Sequence, residues 1–313
     1  MNRDTMAQLT ALRPAASAIA APRTLGQMVW RRFRQHRPAL IGLVGIAIIL
    51  LLATLVPLLT NYDALKTNVD FIRNAPSIDH IFGTDELGRD LFIRLWAGAR
   101  ISLLIGVATM AIAIAIGTLV GAVAGYYGGR IDNVLMRFTD FMLSIPQLFL
   151  LLLFAQLLRA TNNPVLSGGP LPIITIIGIL AWMPIARLVR GQFLALKTRD
   201  YVEAARAMGV SNARIIFRHI LPNAASPIIV AATLRVGAAI ITESTLSFLG
   251  FGVQPPTPTW GNMLKNAQAQ MTYAPWTAIF PGLAIFVTVL AINYVGDGLR
   301  DALDPRTLVK AKR

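Results

Sequence analysis

Long apolar runs alternate with shorter polar segments along most of this 313-residue chain. A helix needs about 20 apolar residues to cross a hydrocarbon core about 30 Å thick, and six of the runs approach that length. The pattern therefore predicts an all-α, polytopic membrane protein, in which an N-terminal span precedes a five-helix core. The predicted transmembrane helices cover residues 39–59, 101–124, 141–158, 171–189, 224–241 and 278–295.

The polar segments give the chain its predicted organisation. A tail and a basic collar precede the first span, an outer loop separates that span from the core, and a long polar loop divides the core. The predicted parts are 1–38 for the tail and collar, 39–59 for the first transmembrane helix, 60–100 for the outer loop, 101–295 for the core with its polar loop at 190–223, and 296–313 for the C-terminal tail.

The charge distribution orients these parts. Only 14% of the residues are charged, whereas soluble domains carry about 25%. Of the 29 Lys and Arg residues, 21 fall on the side of both termini and 7 on the opposite side. Because Lys and Arg are concentrated in cytoplasmic loops, we expect both termini to be cytoplasmic. The net charge of +14 then reflects membrane orientation, and the absence of cysteine excludes disulfides and thiolate chemistry.

The most organised polar segment reads DYVEAARAMGVSNARIIFRHILPN, over residues 200–223. Its pattern predicts two short helices hinged at a glycine, each with a capping residue and a stop signal. We expect Asp200 to cap the first helix, Glu203 to complete its capping box, Gly209 to end it, Ser211 to cap the second helix and Pro222 to end that one.

The same segment resembles the EAA loop of bacterial importer permeases that are driven by ATP-binding cassette subunits. The resemblance rests on Glu203-Ala204-Ala205, then Gly209, then Ile220-Leu221-Pro222. In that family the loop holds a coupling helix, which seats in a groove on the ATPase. The residues that the resemblance implies for coupling are Asp200, Tyr201, Glu203, Ala204, Ala205, Arg206, Met208 and Gly209.

Four further segments extend the resemblance to nearly the whole chain: 80–102, 124–132, 246–263 and 295–306. They are similar to the C-type permease of dipeptide and oligopeptide importers, a branch that includes glutathione and nickel permeases. The resemblance implies a heterodimer with a B-type permease, two cytoplasmic ATPases that bind ATP and Mg²⁺, and an extracytoplasmic solute-binding protein, in the bacterial inner membrane. It implies no cofactor in this chain and leaves the substrate open.

The outer segment 251–263 would help form the surface that faces the binding protein; the alternative is a rigid, Pro-rich connector. The related family often has an acidic residue where Thr259 stands in this segment.

Arg235 lies about midway along the fifth predicted span. A lone arginine there costs a few kcal/mol or more unless it finds a partner. We expect it to face the translocation path and to attract a peptide-like carboxylate. The alternative is a packing residue that a carbonyl or carboxylate satisfies.

Small and kinking residues predict how the spans pack. Gly117, Gly121 and Gly125 recur at four-residue spacing, which predicts close approach of a neighbouring helix. Prolines in or beside the spans permit kinks, which suit either a rocking path or simple bends: Pro146, Pro172, Pro184 and Pro227.

Other chemistry finds little support in the sequence. Gly191 begins a near match to a phosphate loop, but Leu196 occupies the second glycine position, so we expect no nucleotide site. The three histidines are scattered, so no metal site is expected.

Residues 200–223 also loosely match a basic helix-turn-helix. The adjoining spans would hold this segment against the bilayer, so no nucleic-acid binding is expected. The acidic residues of the outer loop are predicted to form a solvated, hydrogen-bonded loop, since the alternative of paired carboxylates for hydrolysis would need a pocket: Asp79, Asp85, Glu86 and Asp90.

A second class of function, an ion-gradient-driven secondary transporter, would want carboxylates within the membrane. The six spans as predicted contain no Asp or Glu, since Asp140 and Glu243 lie just beyond their ends.

Overall fold

The computed structural model describes residues 25–60, 63–161 and 168–304, so most of the predicted tails, 1–24 and 305–313, lies outside it. Within these ranges the fold is all-α, as predicted, with one isolated bridge between Thr84 and Asp90. The helices are α1 (Leu25–Phe33), α2 (Arg37–Leu59), α3 (Leu91–Tyr127), α4 (Gly129–Ser144), α5 (Gln147–Ala160), α6 (Pro170–Leu180), α7 (Met183–Leu196), α8 (Asp200–Ala207), α9 (Asn212–Phe248, π-helical over Ile215–Ile220), α10 (Trp260–Ala267) and α11 (Trp276–Leu303).

Four predicted spans are single helices long and apolar enough to cross a membrane, namely α2, α3, α9 and α11. The prediction of one continuous helix is wrong for residues 141–158 and for residues 171–189. The first is divided between α4 and α5, which meet at 86°, and the second between α6 and α7, which meet at 41°. Hydropathy does not register such breaks, because the residues on both sides of them are apolar.

Prolines account for both breaks. Pro146 is the residue before α5, and Pro184 lies in the first turn of α7. A proline at the start of a helix loses no hydrogen bond, but it prevents the preceding helix from continuing. Pro172 instead lies in the first turn of α6 and makes no kink.

Two helices extend beyond the predicted spans. α3 begins at Leu91 rather than at residue 101, because the Asp90 side chain accepts a hydrogen bond from the Ile93 N–H at 3.1 Å and caps the helix. α9 begins at Asn212, so the predicted stop at Pro222 is wrong. Pro222 lies in the first turn after the π-helical segment, a position where the missing N–H is tolerated.

The glycine strip of α3 faces α7, which confirms the predicted close approach. A Cβ on Gly117 would lie 2.6 Å from Ile185 Cβ, and a Cβ on Gly125 would lie 2.6 Å from Phe193 Cβ. Only glycine fits at these distances. α3 therefore packs directly on the helix that leads into the polar loop.

The acidic outer loop is hydrogen-bonded, as predicted, but Asp85 is buried rather than solvated. Asp85 is 4% exposed, and its Oδ2 lies 2.7 Å from Arg89 Nε and 3.3 Å from Arg94 Nε. Asp90 lies 2.8 Å from His80 Nδ1. The predicted solvation is wrong for Asp85 because the loop folds back on the start of α3 and brings basic partners to this carboxylate. Asp79 is exposed, as predicted.

Residues 251–263 are braced against α3. Trp260 is fully buried, and its indole N–H donates to the Leu95 carbonyl at 3.0 Å. Thr259 and Asn262 form a capping box at the start of α10. Thr259 therefore has a structural role as a helix cap, for which its hydroxyl suffices.

Candidate coupling surface and translocation path

The polar loop contains a short helix, α8. It begins one residue earlier than the capping prediction requires, because Arg199 holds the N-cap position and Asp200 is already helical. Neither the Asp200 cap nor the capping box with Glu203 forms. Both acids instead lie in the first turn, where the helix dipole favours negative charge. Ser211 holds the predicted N-cap position of α9, but its side chain makes no capping hydrogen bond.

Gly209 ends α8 as predicted. Its φ of +75° lies in the left-handed region, which glycine adopts without steric cost. The Gly209 N–H donates to the Arg206 carbonyl at 3.0 Å, and the Val210 N–H donates to the Ala205 carbonyl at 3.1 Å. These two bonds form a Schellman motif, which fixes the angle between α8 and α9.

The two faces of α8 differ. Val202 and Ala205 are buried, 0% and 2% exposed, in a cluster with Phe193 of α7 and Ile215 of α9. The sequence placed Ala205 among the coupling contacts; it lies in this core and instead anchors the helix. The other candidates lie on the exposed side: Asp200, Tyr201, Glu203, Ala204, Arg206, Met208 and Gly209.

An additional link joins α8 to α3 and α9. The Arg206 guanidinium lies over the Tyr126 ring, 6.0 Å from its centroid, and the Tyr126 hydroxyl donates to Asn212 Oδ1 at 2.7 Å. Sequence analysis missed Tyr126, because nothing in a tyrosine at the end of a span indicates a partner 86 positions away. The link makes α8 part of a unit with the C-terminal end of α3 and the N-terminal end of α9.

Arg235 lies at the junction of the two helix breaks. It lines a cavity of about 130 Å³ together with Ile145 and Pro146 of one break and Ala181 and Pro184 of the other. In the part of the chain that the structure describes, no hydrogen bond or ion pair joins Arg235 to another residue. The alternative of a packing residue satisfied within this chain therefore finds no support there.

Ion pairs join α4, which precedes the first break, to α7, which follows the second. Asp132 of α4 pairs with Arg190 of α7, and Asp140 of α4 pairs with Arg187 of α7. The Phe138 ring stacks on that of Trp182, with centroids 6.3 Å apart. Sequence analysis did not find these contacts, because each partner is ordinary in its own helix.

The prediction that no acidic residue lies within the spans is wrong for Glu243. It is fully buried inside α9, where the Ser247 hydroxyl donates to its Oε1 at 2.7 Å. No ion pair to Glu243 is seen among residues 25–60, 63–161 and 168–304. The prediction was wrong because the polar residues after 241 lowered the hydropathy while the helix continued to Phe248.

Comparisons with known proteins decide the family. Residues 117–309 match the family described as binding-protein-dependent transport system inner membrane component. The chain belongs to this family. Residues 24–76 of the permease also match the N-terminal TM domain of oligopeptide transport permease C. Both matches confirm the resemblance that the sequence motifs indicated.

Individual relatives agree with this assignment. The permease is 43% identical over 275 residues to the oligopeptide transport system permease protein OppC of Bacillus subtilis, with 88% of each chain covered. It is 44% identical over 285 residues to the glutathione transport system permease protein GsiD of Escherichia coli, with 91% of each covered.

A solved structure also matches. The inward-facing MetNI methionine ABC transporter aligns with a TM-score of 0.56 at 20% identity, covering 67% of this chain and 97% of that chain. At this identity the likeness concerns the fold alone, and it agrees with an all-α membrane permease. Because its homologues are transport components, the permease is a transport subunit rather than an enzyme. The ion-gradient alternative gains no support from these matches.

Proposed function

We propose that this permease forms one half of the translocation path of an ATP-driven peptide importer and receives its energy through α8. The observation that carries the proposal is the two-sided character of α8. One face is locked into the core by Val202 and Ala205, and the other is exposed. Met208, at 76% exposed, stands at the end of that free face. A helix held in this way can transmit a displacement imposed by a partner protein to the rest of the permease as a rigid unit.

The motion would pass from α8 into the helices that it joins. The Schellman motif at Gly209 and the Tyr126 link fix α8 to α9 and α3. The breaks between α4 and α5 and between α6 and α7 then supply the points at which the bundle can rock between outward- and inward-facing states. No covalent chemistry occurs in this chain.

The partners of the proposed machine are a B-type permease in a heterodimer, two cytoplasmic ATPases that bind ATP and Mg²⁺, and an extracytoplasmic solute-binding protein. Trp260 is buried, and of residues 251–263 the exposed pair is Pro255 and Pro256. We therefore assign most of this segment to bracing the outer face, and only these prolines to contact with the binding protein.

The proposed substrates are di- and oligopeptides, with glutathione or nickel as alternatives within the same machinery. The relatives named for oligopeptide and glutathione transport support a peptide-like substrate. Such molecules carry carboxylates, and Arg235 offers an unpaired cation beside a cavity at the helix breaks. A carboxylate that reaches this position would form a charge-assisted hydrogen bond.

Reconstitution tests the coupling role. Purified transporter in proteoliposomes should take up peptide only when the ATPase subunits and ATP are present. Glu203→Lys should abolish uptake and leave membrane insertion intact, since it reverses a charge on the free face of α8. Asp297→Lys, which reverses an exposed acid on α11, is the matched control and should transport normally. Gradient-driven uptake by this chain alone would contradict the proposal.

The proposed orientation, with both termini in the cytoplasm, has a clean test because the chain contains no cysteine. Single cysteines at Ser211 and Ile78, both exposed, should react from opposite sides of the membrane with an impermeant maleimide. Labelling of Ser211→Cys from outside intact cells would reverse the assignment.

A further inference from the structure

A long apolar groove runs between α3 and the start of α9. Its volume is about 620 Å³, and its walls extend from Ile114 to Tyr127 on α3 and from Ala213 to Leu221 on α9. At 1.5 Å per residue, the α3 wall is about 20 Å long. One leaflet of a bilayer contributes about 15 Å of the hydrocarbon core, so the groove matches one leaflet and the beginning of its interface.

Two arginines lie beside the α9 wall of the groove, beginning at its end near Tyr127. Arg214 and Arg218 follow the lining residues Ala213 and Phe217 in sequence, and all four are exposed on one face of α9. No hydrogen bond or ion pair connects either arginine to another residue that the structure describes. Two cations without a partner among the described residues thus lie beside the α9 wall of an apolar groove.

Tyr127 marks the depth of this end. Its side chain is 51% exposed and lines the groove. Tyrosine rings are enriched where membrane meets water, with the ring at the level of the headgroups. With the proposed orientation, the Tyr127 end of the groove lies at the cytoplasmic headgroup layer and the Ile114 end near the bilayer centre.

We infer that this groove binds an anionic phospholipid of the cytoplasmic leaflet, with an acyl chain between α3 and α9 and the phosphate paired with Arg214 and Arg218. Basic pockets between transmembrane helices on this side suit anionic headgroups, because a phosphate and an arginine form charge-assisted hydrogen bonds. An apolar helix of the second permease would fill the same groove but would leave both arginines unpaired. The charge pattern therefore favours the lipid.

The site has a consequence for coupling. The α9 wall of the groove includes the π-helical segment Ile215–Ile220, which follows α8 after a short connection. A bound acyl chain would support this segment from the membrane side. The inference rests on the proposed function and orientation, and its primary test is a binding measurement that does not depend on transport.

The experiment uses the complete transporter and phosphatidylglycerol that carries a photoactivatable group in its acyl chain. After illumination, mass spectrometry should find cross-links in peptides that cover 114–127 and 213–221. Phosphatidylcholine with the same photoactivatable chain should label these peptides far less. Equal labelling by the two lipids would overturn the inference, because the headgroup charge would then play no part.

Variants with matched controls test separately the residues that we propose bind the lipid headgroup and those that we propose contact the acyl chain. The double variant Arg214→Gln/Arg218→Gln should reduce labelling on the order of tenfold, as expected for the loss of two arginine contacts with an anionic surface. Arg300→Gln, an exposed arginine at the inner end of α11, should leave labelling unchanged. Unchanged labelling in the double variant would overturn the assignment of the arginines.

Ala115→Trp should reduce labelling without a change of charge, because the indole would fill the groove. Ala111→Trp, at an exposed position one turn away and outside the groove, is its control. Cross-linking of a photoreactive residue at position 115 to the second permease, in place of lipid, would also overturn the inference. Peptide uptake by the same preparations shows separately whether the proposed function holds.

Discussion

Asp132 of α4 and Arg190 of α7 form a bidentate ion pair between the two broken spans. One of its two hydrogen bonds joins Arg190 Nη2 to Asp132 Oδ2 at 2.7 Å. α4 precedes one helix break and α7 follows the other. The pair therefore joins one arm of each break, so that the two arms are expected to move together beside the Arg235 cavity.

The Asp132–Arg190 pair should contribute little to stability, despite its good geometry. The side chains are 15% and 35% exposed, respectively, and pairs near water are worth about 0.2–1 kcal/mol. A double-mutant cycle with Asp132→Asn and Arg190→Gln, followed by thermal unfolding in detergent, should give a coupling energy in that range. Arg137→Gln, which removes a contact with Asn133 only, is the control. A coupling energy of several kcal/mol would contradict this prediction.

Gly209→Ala should impair transport through the backbone alone. The left-handed conformation costs a residue with a Cβ roughly 1–2 kcal/mol, so the end of α8 would shift. Uptake should fall several-fold at normal expression, and Gly209→Asp should abolish it. Gly191→Ala provides the control, since that glycine is helical and an added Cβ meets nothing within 4 Å. Equal uptake by the two alanine variants would show that the α8 end need not be rigid.

Arg235→Leu should reduce uptake and leave assembly and expression intact. A hydrogen bond to a charged group contributes about 1.5–3 kcal/mol, which corresponds to tenfold or more in uptake. The effect should be larger for a peptide with a free C-terminal carboxylate than for its amide. Arg235→Lys keeps the charge and should retain part of the activity. Normal uptake of the free peptide by a normally assembled Arg235→Leu transporter would remove Arg235 from the path.

Asp85→Asn should destabilise the outer loop. The change leaves the buried guanidinium groups of Arg89 and Arg94 without their shared carboxylate, and breaking a buried pair costs about 3–5 kcal/mol. We expect faster proteolysis of the loop from the outer side and a lower unfolding temperature. Asp79→Asn, at an exposed position of the same loop, should behave like the wild type. Indistinguishable proteolysis of the two variants would contradict the structural role of Asp85.

Hydropathy and short motifs were sufficient to predict the class of protein. The lengths of the apolar runs predicted a helical membrane protein, and the spacing from Glu203 to Pro222 indicated the permease family that the comparisons confirmed. The glycine strip of α3 and the stop at Gly209 were also predictable, because each depends on a local property of glycine. The coupling role of the exposed α8 residues and the role of Arg235 stay predictions.

Everything that depends on two distant segments was decided by the tertiary structure. Hydropathy averages along the chain, so it could not separate α4 from α5, nor show that the residues before Pro222 belong to α9. Amino-acid type predicted that Asp85 is solvated, and the family resemblance placed Ala205 among the coupling residues, whereas packing buries both side chains. The physical reason is that helix formation and membrane insertion follow from local composition. Burial, pairing and the position of a cation beside two breaks depend on which helices meet.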